Sequence, residues 1–275
     1  MNPHASQSSS LLFLLQSLIQ HRQLILQMIQ REVMGRYKGS LLGVTWSFFY
    51  PILMLAVYTF VFSVVFKARW VDGTGSKTEF ALVLFAGLMV FNLFSECITR
   101  APSLIISNIN YVKKVVFPLE IFPIVVLGAA LFHFFISFFV WLIFYCIFLG
   151  VPHFTILLMP IALLPMILMI LGLSWFLASL GVYFRDITQI IGVVVTVLMF
   201  LSPIFYPIAA LPEIYRPFMQ ISPLTFVVEQ ARDLMMWNKS LDVQALSMAL
   251  LYSFIVAWLG FVWFQKTRKG FADVI

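Results

Sequence analysis

The sequence has 275 residues, of which 62% are apolar and only 10% are charged, with a formal net charge of +6. An ordinary soluble domain carries about 25% charged and roughly 45–50% apolar residues. A soluble core cannot bury such an apolar excess, whereas a lipid bilayer accommodates it. The composition therefore excludes an ordinary soluble domain, and we expect one all-α integral membrane domain over residues 1–275.

The predicted elements begin with an amphipathic helix at residues 11–35. Apolar side chains recur there at spacings of three, four or seven residues and share one helical face, namely Leu11, Leu15, Leu18, Ile25, Ile29 and Val33. Glutamines fill much of the remaining surface. This pattern predicts a helix that lies in the membrane interface, with a helix docked on a soluble core as the alternative.

Six apolar stretches follow this helix. A transmembrane helix needs roughly 20 apolar residues, because about 30 Å of hydrocarbon is crossed at about 1.5 Å per residue. The stretches lie at residues 46–66, 80–99, 124–149, 154–183, 187–202 and 246–264, and the fifth is somewhat short. Pro160 and Pro165 interrupt the fourth, which a bundle tolerates because neighbouring groups satisfy the freed carbonyls. We therefore predict six transmembrane helices.

Lysine and arginine residues are concentrated on one side of these spans. That side receives Arg22, Arg31, Arg36, Lys38, Arg100, Lys113, Lys114, Arg185, Lys266, Arg268 and Lys269. The opposite side has fewer, and acidic residues offset them. Because cytoplasmic loops carry the excess of basic residues, both termini are predicted in the cytoplasm. The positive charge is thereby explained as a topology signal, without nucleic acid as a partner.

The connection at residues 100–123 is predicted to be cytoplasmic. Ile105, Ile106, Ile109 and Val112 recur in it at helical spacing. This pattern predicts a short amphipathic helix at the cytoplasmic face on which a partner protein docks. An ordinary interfacial loop is the alternative.

The external stretch at residues 202–242 is too apolar for a free loop and is interrupted by five prolines. Ser222 and Pro223 are typical of a helix start. In a helix from there to about Trp237, the side chains of Val227, Ala231 and Leu234 would lie on one side. Irregular backbone at membrane depth must be buried in protein or line a cavity. We therefore predict re-entrant half-helices at residues 202–237, a feature of a translocation path.

The sequence has no motif for a catalytic, cofactor or metal site. It lacks G-x-x-x-x-G-K-[ST], H-E-x-x-H, G-x-S-x-G and C-x-x-C, and its four histidines are scattered. Cys97 and Cys146 are interpreted as buried apolar side chains. His133 is a functional candidate by its depth in the third span, with a neutral histidine bonded to a neighbouring helix as the alternative. Glu96 and Arg100 are interpreted as a structural helical pair.

Several motifs, in order along the chain, resemble the membrane subunits of polysaccharide ABC exporters, which move O-antigen, capsule or teichoic-acid polymers. They are residues 36–46 (RYKGSLLGVTW) continuing through Pro51 to residues 61–63, residues 183–187 (YFRDI), residues 202–207 (SPIFYP), residues 222–224 with Glu229 and Arg232, and residues 271–273. Together these motifs extend over nearly the whole chain.

The resemblance implies a homodimeric channel in the bacterial inner membrane, with two cytoplasmic ATPase subunits that hold ATP and magnesium. Its cargo would be lipid-linked polysaccharide, with O-antigen favoured, and the chain itself would not be an enzyme. ATPase contacts would be made by Ser107, Asn110, Lys113, Lys114, Arg185 and Asp186. Aromatic contacts to the cargo are expected at Tyr58, Phe62, Phe205 and Tyr206. The alternatives are a membrane-bound polymer-assembly enzyme without ATP coupling and an exporter of small hydrophobic drugs.

Overall fold

The structure is a computed structural model that describes residues 10–61, 70, 76–113, 117–220 and 222–275. Within these ranges every regular element is helical, as the composition predicted. The α-helices are α1 (Leu11–Gln20), α2 (Arg22–Arg36), α3 (Trp46–Tyr58), α4 (Lys77–Arg100), α5 (Ile109–Lys113), α6 (Phe122–Phe148), α7 (Met159–Tyr183), α8 (Ile187–Leu201), α9 (Arg216–Gln220), α10 (Pro223–Met235), α11 (Val243–Thr267) and α12 (Phe271–Val274). Short 3₁₀ turns precede or follow several of them.

Five helical stretches in the described part of the chain are long and apolar enough to cross a membrane. They are Gly43–Val61, Thr78–Ser103, Leu119–Phe148, Phe154–Tyr183 and Val243–Val274. The fifth of the six predicted spans corresponds to α8, an apolar helix of only 15 residues. At about 1.5 Å per residue α8 is about 22 Å long, which is less than the roughly 30 Å of a bilayer core.

The N-terminal segment forms two helices where the sequence predicted one. The chain turns at His21, whose ring nitrogen Nδ1 lies 2.8 Å from the carbonyl oxygen of Ser17. Leu14 and Ser17 are buried in α1, whereas Leu15 is exposed. Ser17 donates a hydrogen bond to a buried carboxylate, which is described below.

Helix α4 is the centre of the bundle. From Phe80 to Phe94 every residue except Asn92 is buried, and the helix packs against α6, α7, α8 and α10. A helix that is apolar on all sides either lies in a protein core or faces lipid, and α4 lies in the core. Because α4 is covered in this way, it positions the polar groups near its C-terminal end against the surrounding helices.

Helices α7 and α11 cross at two glycines. A Cβ atom at Gly172 would lie 2.6 Å from the backbone nitrogen of Ala257, and a Cβ at Gly260 would lie 2.7 Å from the carbonyl carbon of Gly172. Only hydrogen fits at either position, since real Cβ atoms do not approach backbone this closely. Small residues at a crossing let two membrane helices approach and pack backbone to backbone.

Gly260→Ala is therefore expected to force α7 and α11 apart and to destabilise the protein. Overpacking of a closed interface typically costs about 1–3 kcal/mol, which thermal unfolding of the purified protein in detergent would measure. Gly192→Ala in α8 is the matched control, because nothing lies within 4 Å of its added methyl group. If Gly260→Ala unfolded at the same temperature as Gly192→Ala, the close crossing would be contradicted.

Candidate functional site

A cavity of about 1500 Å³ lies between α2, the connection to α3, α3 itself, α4 and α6. Three of these helices are among the membrane-length stretches, yet the cavity wall is rich in charge. The charged or titratable side chains of the wall, apart from tyrosines, are Arg31, Glu32, Arg36, Lys38, Glu96, Arg100 and His133. Such groups are costly in a membrane and usually face one another, a cavity or a pathway.

Glu96 of α4 is the centre of an ion-pair network in this wall. Its carboxylate lies 2.6 Å from Arg36 Nη1 and 3.2 Å from Nδ1 of His133 on α6. Arg100 is more distant, at 3.8 Å, and pairs more closely with Glu32 of α2. The network thus joins α2, α4 and α6 through side chains that are far apart in sequence.

The sequence interpretation of this network was partly correct. His133 does bond to a neighbouring helix, and that partner is Glu96. Arg100, expected as the helical partner of Glu96, is the weaker contact, and the closer one comes from Arg36. Sequence reasoning missed the role of Arg36 and Glu32. The signal that could have revealed the network is the presence of ionisable groups in two spans, since such groups usually pair with one another in a membrane.

Tyr37 lines the same cavity, directly after α2. Its ring meets the His133 ring edge to face, with 6.1 Å between the centroids. Partial burial raises the pKa of the Tyr37 phenol above its ordinary value. The hydroxyl stays protonated at neutral pH and forms a hydrogen bond with Ser47, which also lines the cavity.

A second polar cluster, the Glu120 junction, joins segments from four parts of the chain. One oxygen of the buried Glu120 carboxylate accepts from Ser17 Oγ at 2.8 Å, and the other accepts from Arg268 Nη1 at 2.7 Å. Arg268 also donates to the carbonyl of Phe117, and Trp175 donates its indole N–H to the backbone carbonyl of Glu120. The junction fixes α1, the segment before α6, α7 and the end of α11 to one another.

The residues predicted to contact an ATPase lie near this end of the bundle. Ser107, Asn110, Lys113, Arg185 and Asp186 are exposed, whereas Lys114 lies outside the described residues. The backbone of Pro102, before α5, packs against Gly181 near the end of α7, where any Cβ would clash. The two predicted contact segments are thereby held at the same end of the bundle. Their role as ATPase contacts stays a prediction.

The aromatic residues predicted to contact the cargo do not lie in the cavity wall, as far as the structure describes them. The hydroxyl of Tyr206 donates to the carbonyls of Phe200 and Leu201 at the end of α8, and Phe205 stacks on Phe200 with centroids 5.7 Å apart. Neither residue, nor Tyr58, lines the cavity, and Phe62 lies outside the described residues. Contact of these aromatic side chains with a cargo stays a prediction.

Helix α10 begins where the sequence predicted, at Pro223 after an extended Ser222. The three residues expected to share a face, Val227, Ala231 and Leu234, are all fully buried. The helix ends at Met235, slightly before the predicted end, and packs against α4 and α7. Ten of the 13 residues of this helix are buried, so burial extends well beyond the predicted face.

Arg232 ties α10 to the rest of the bundle. Its guanidinium donates to the backbone carbonyls of Val83, Pro203 and Ile204, and it lies 4.6 Å from the centre of the Trp70 ring. Burial lowers the pKa of Arg232 to about 10, so the side chain stays charged at neutral pH. The charge is satisfied by carbonyl dipoles and an aromatic face.

The membrane-length helices and the charged cavity between them define a polytopic membrane protein with a polar interior. Residues 23–236 match the ABC-2 type transporter family, so the chain belongs to that family. It is 27% identical to an O-antigen export system permease protein of Myxococcus xanthus over 95% of this chain and 99% of the relative. It is 24% identical to one from Klebsiella pneumoniae, over 92% and 95% of the two chains. A polysialic acid transport protein of Escherichia coli is 22% identical over 87% and 92%.

Proposed function

We propose that this chain is the channel-forming subunit of an ATP-driven exporter that moves lipid-linked polysaccharide out of the bacterial cytoplasm, with O-antigen as the favoured cargo. The similarity to O-antigen export permeases carries the proposal, because it extends over nearly the full length of both chains. The charged cavity between apolar helices supports it, since a polar polymer needs polar surroundings within the membrane.

The energy for transport comes from a partner subunit in this proposal. The sequence has no P-loop with which to bind ATP, so ATP and magnesium reside on two copies of a cytoplasmic ATPase. Those copies contact the end of the bundle that carries α5 and the turn between α7 and α8. Two copies of this chain form the channel, and both termini face the cytoplasm of the cell, in accord with the distribution of lysine and arginine.

The proposed membrane arrangement has six spans, with α8 and the residues after it as the fifth. The N-terminal helices lie along the cytoplasmic interface. Helices α9 and α10 are re-entrant elements at the outer face, and the Arg232 contacts described above hold α10 to the bundle.

Deletion of the gene in its host tests this function. We expect long polysaccharide to disappear from the cell surface, as measured by gel electrophoresis of surface extracts, while lipid-linked polymer accumulates inside. Expression of the full chain restores export, and the purified chain is isolated together with ATPase activity. A matched strain that expresses the intact chain without its ATPase partner should export nothing.

Other outcomes separate the alternatives. Intact surface polysaccharide in the deletion strain would contradict the proposal. Absence of polymer both inside and outside the cell would favour a polymer-assembly enzyme. Loss of resistance to hydrophobic drugs with unchanged polysaccharide would favour a drug exporter.

A further inference from the structure

The ring of His133 lies between two groups that make opposite demands on its Nδ1 atom. Nδ1 is 3.2 Å from both carboxylate oxygens of Glu96, which accept hydrogen bonds, and 3.1 Å from Nη1 of Arg36, which donates them. Arg36 already has an acceptor, because its Nη1 donates to Glu96 at 2.6 Å. The other ring nitrogen, Nε2, is buried and has no hydrogen-bond partner within the described part of the chain.

One protonation state of the imidazole fits these contacts. A neutral ring with its proton on Nδ1 donates to the Glu96 carboxylate and leaves Nε2 without a proton. The opposite tautomer would place the Nδ1 lone pair against a carboxylate and would bury an N–H at Nε2 that has no acceptor. A buried donor without a partner is costly, and the doubly protonated ring would have the same unpaired N–H. The contacts therefore select the neutral ring that is protonated on Nδ1.

The charges around the ring balance when the ring is neutral. Glu96 and Glu32 are paired with Arg36 and Arg100. Among the described residues the cavity wall has no third carboxylate, and its remaining cations and phenols are Arg31, Lys38, Tyr37, Tyr50 and Tyr111. A second proton on His133 would therefore add a positive charge that no further carboxylate offsets, 3.1 Å from Nη1 of Arg36.

Arg36 is the member of this network that can leave most easily. Its side chain is 54% exposed, whereas those of Glu96 and His133 are 18% and 16% exposed. Arg36 is the last residue of α2, and Tyr37 directly after it contacts the His133 ring and forms a hydrogen bond with Ser47 of α3. Helix α3 lies in the least buried of the five membrane-length stretches. The contact between Arg36 and Glu96 therefore helps to position the connection between α2 and α3.

We infer that His133 is a pH-sensitive latch on the connection between α2 and α3. With the ring neutral, Glu96 accepts from both Arg36 and Nδ1, and the connection is fixed to α4 and α6. When the ring takes up a second proton, two cations compete for one carboxylate, and the exposed Arg36 side chain moves into water. The latch thus holds this wall of the cavity at neutral pH and loosens it in acid. The inference goes beyond the proposed function, since it holds for any cargo.

Electron paramagnetic resonance of a spin label in the connection tests the latch. The label is attached to S40C, because Ser40 is exposed, and the exposed Cys146 is replaced by serine while the buried Cys97 is retained. In the purified full chain, the mobile fraction of the label should rise at least about twofold between about pH 8 and about pH 5.5, a range in which histidine titrates. R36Q should give the high mobile fraction at both pH values, because glutamine has no charge that Glu96 can hold.

H133N is the variant that isolates the proton. Its amide can donate to Glu96 in place of the Nδ1–H, but it takes up no proton, so the mobile fraction should stay low at both pH values. H153N is the matched control, since it removes a histidine that does not line the cavity, and it should keep the full pH response. A mobile fraction that is independent of pH in the protein with His133 would overturn the inference, as would an unchanged pH response in H133N.

Nitrogen NMR spectroscopy provides a measurement that does not require H133N to fold. The chain has four histidines, so the variant H4N/H21N/H153N with isotope-labelled histidine nitrogens reports on His133 alone. We expect a neutral ring with its proton on Nδ1 at about pH 8 and a doubly protonated ring at about pH 5.5. A ring that is already doubly protonated at the higher pH, or still neutral at the lower one, would overturn the latch.

Discussion

Arg232→Met is expected to lower the free energy of unfolding by about 2–6 kcal/mol, because the backbone carbonyls of Pro203 and Ile204 lose their donor and each unsatisfied group costs about 1–3 kcal/mol. Arg232 is only 2% exposed, so water cannot replace its guanidinium at these two carbonyls. Thermal unfolding of the purified protein should show a decrease of roughly 10 °C. The unfolding temperature of Arg232→Lys should lie between those of the unaltered protein and Arg232→Met, since one ammonium group cannot reproduce the planar fork of guanidinium donors.

Arg216→Met in α9 is the control for this substitution. Arg216 also donates to two backbone carbonyls, those of Leu211 and Ala209, at 2.9 Å each. Its side chain is 36% exposed, so water can reach the groups that it leaves and the loss should stay below about 1 kcal/mol. If Arg216→Met lowered the free energy of unfolding as much as Arg232→Met, burial of the arginine would not explain the cost of its loss.

Gly87 of α4 provides a second test of the same contact. A Cβ atom there would lie 2.5 Å from Nη2 of Arg232, and three hydrogen bonds hold that guanidinium in position. Gly87→Ala should therefore destabilise the protein that contains Arg232. The same substitution should cost much less in the Arg232→Met background, giving a coupling of about 0.5–3 kcal/mol between the two positions. Additive effects would contradict a direct contact between these residues.

The features that were predictable from sequence are those that a local pattern determines. The apolar composition predicted an all-helical membrane protein, and the spacing of Val227, Ala231 and Leu234 predicted three of the residues that α10 buries. Proline after a serine predicted the first turn of that helix. These patterns depend on residues within a few positions of one another, where backbone geometry fixes which side chains share a face.

Periodicity does not predict contacts between residues that are distant in sequence. The pattern of α1 gives no sign that Ser17 donates to Glu120, which is 103 positions away. The network around Glu96 was missed in part for the same reason, since Arg36 is 60 positions from it. No local pattern encodes such pairs, because the cost of an unpaired charge in a membrane depends on what tertiary packing brings beside it.

Glu120→Ala is expected to be the most disruptive single change at the end of the bundle where the predicted ATPase contacts lie. Glu120 is 1% exposed and faces Arg268, which is 12% exposed. Removing one partner of a buried ion pair typically costs about 3–5 kcal/mol, because the other charge keeps its desolvation cost and loses its attraction. Ser17 also loses its acceptor, so α1 should separate from the segment before α6. Thermal unfolding and limited proteolysis within residues 10–21 would measure the two effects.

Comparison with further variants separates charge from packing at this junction. Glu120→Gln keeps the shape and one acceptor oxygen, so its loss should be smaller than that of Glu120→Ala. Arg268→Met combined with Glu120→Ala should destabilise less than the sum of the single changes, because the second substitution removes the charge that the first leaves buried. Glu213→Ala is the exposed control: its side chain is 91% exposed and 4.0 Å from Arg216, so its effect should be near zero. If Glu120→Ala had as little effect as Glu213→Ala, the Glu120 carboxylate would not be what holds the four segments together.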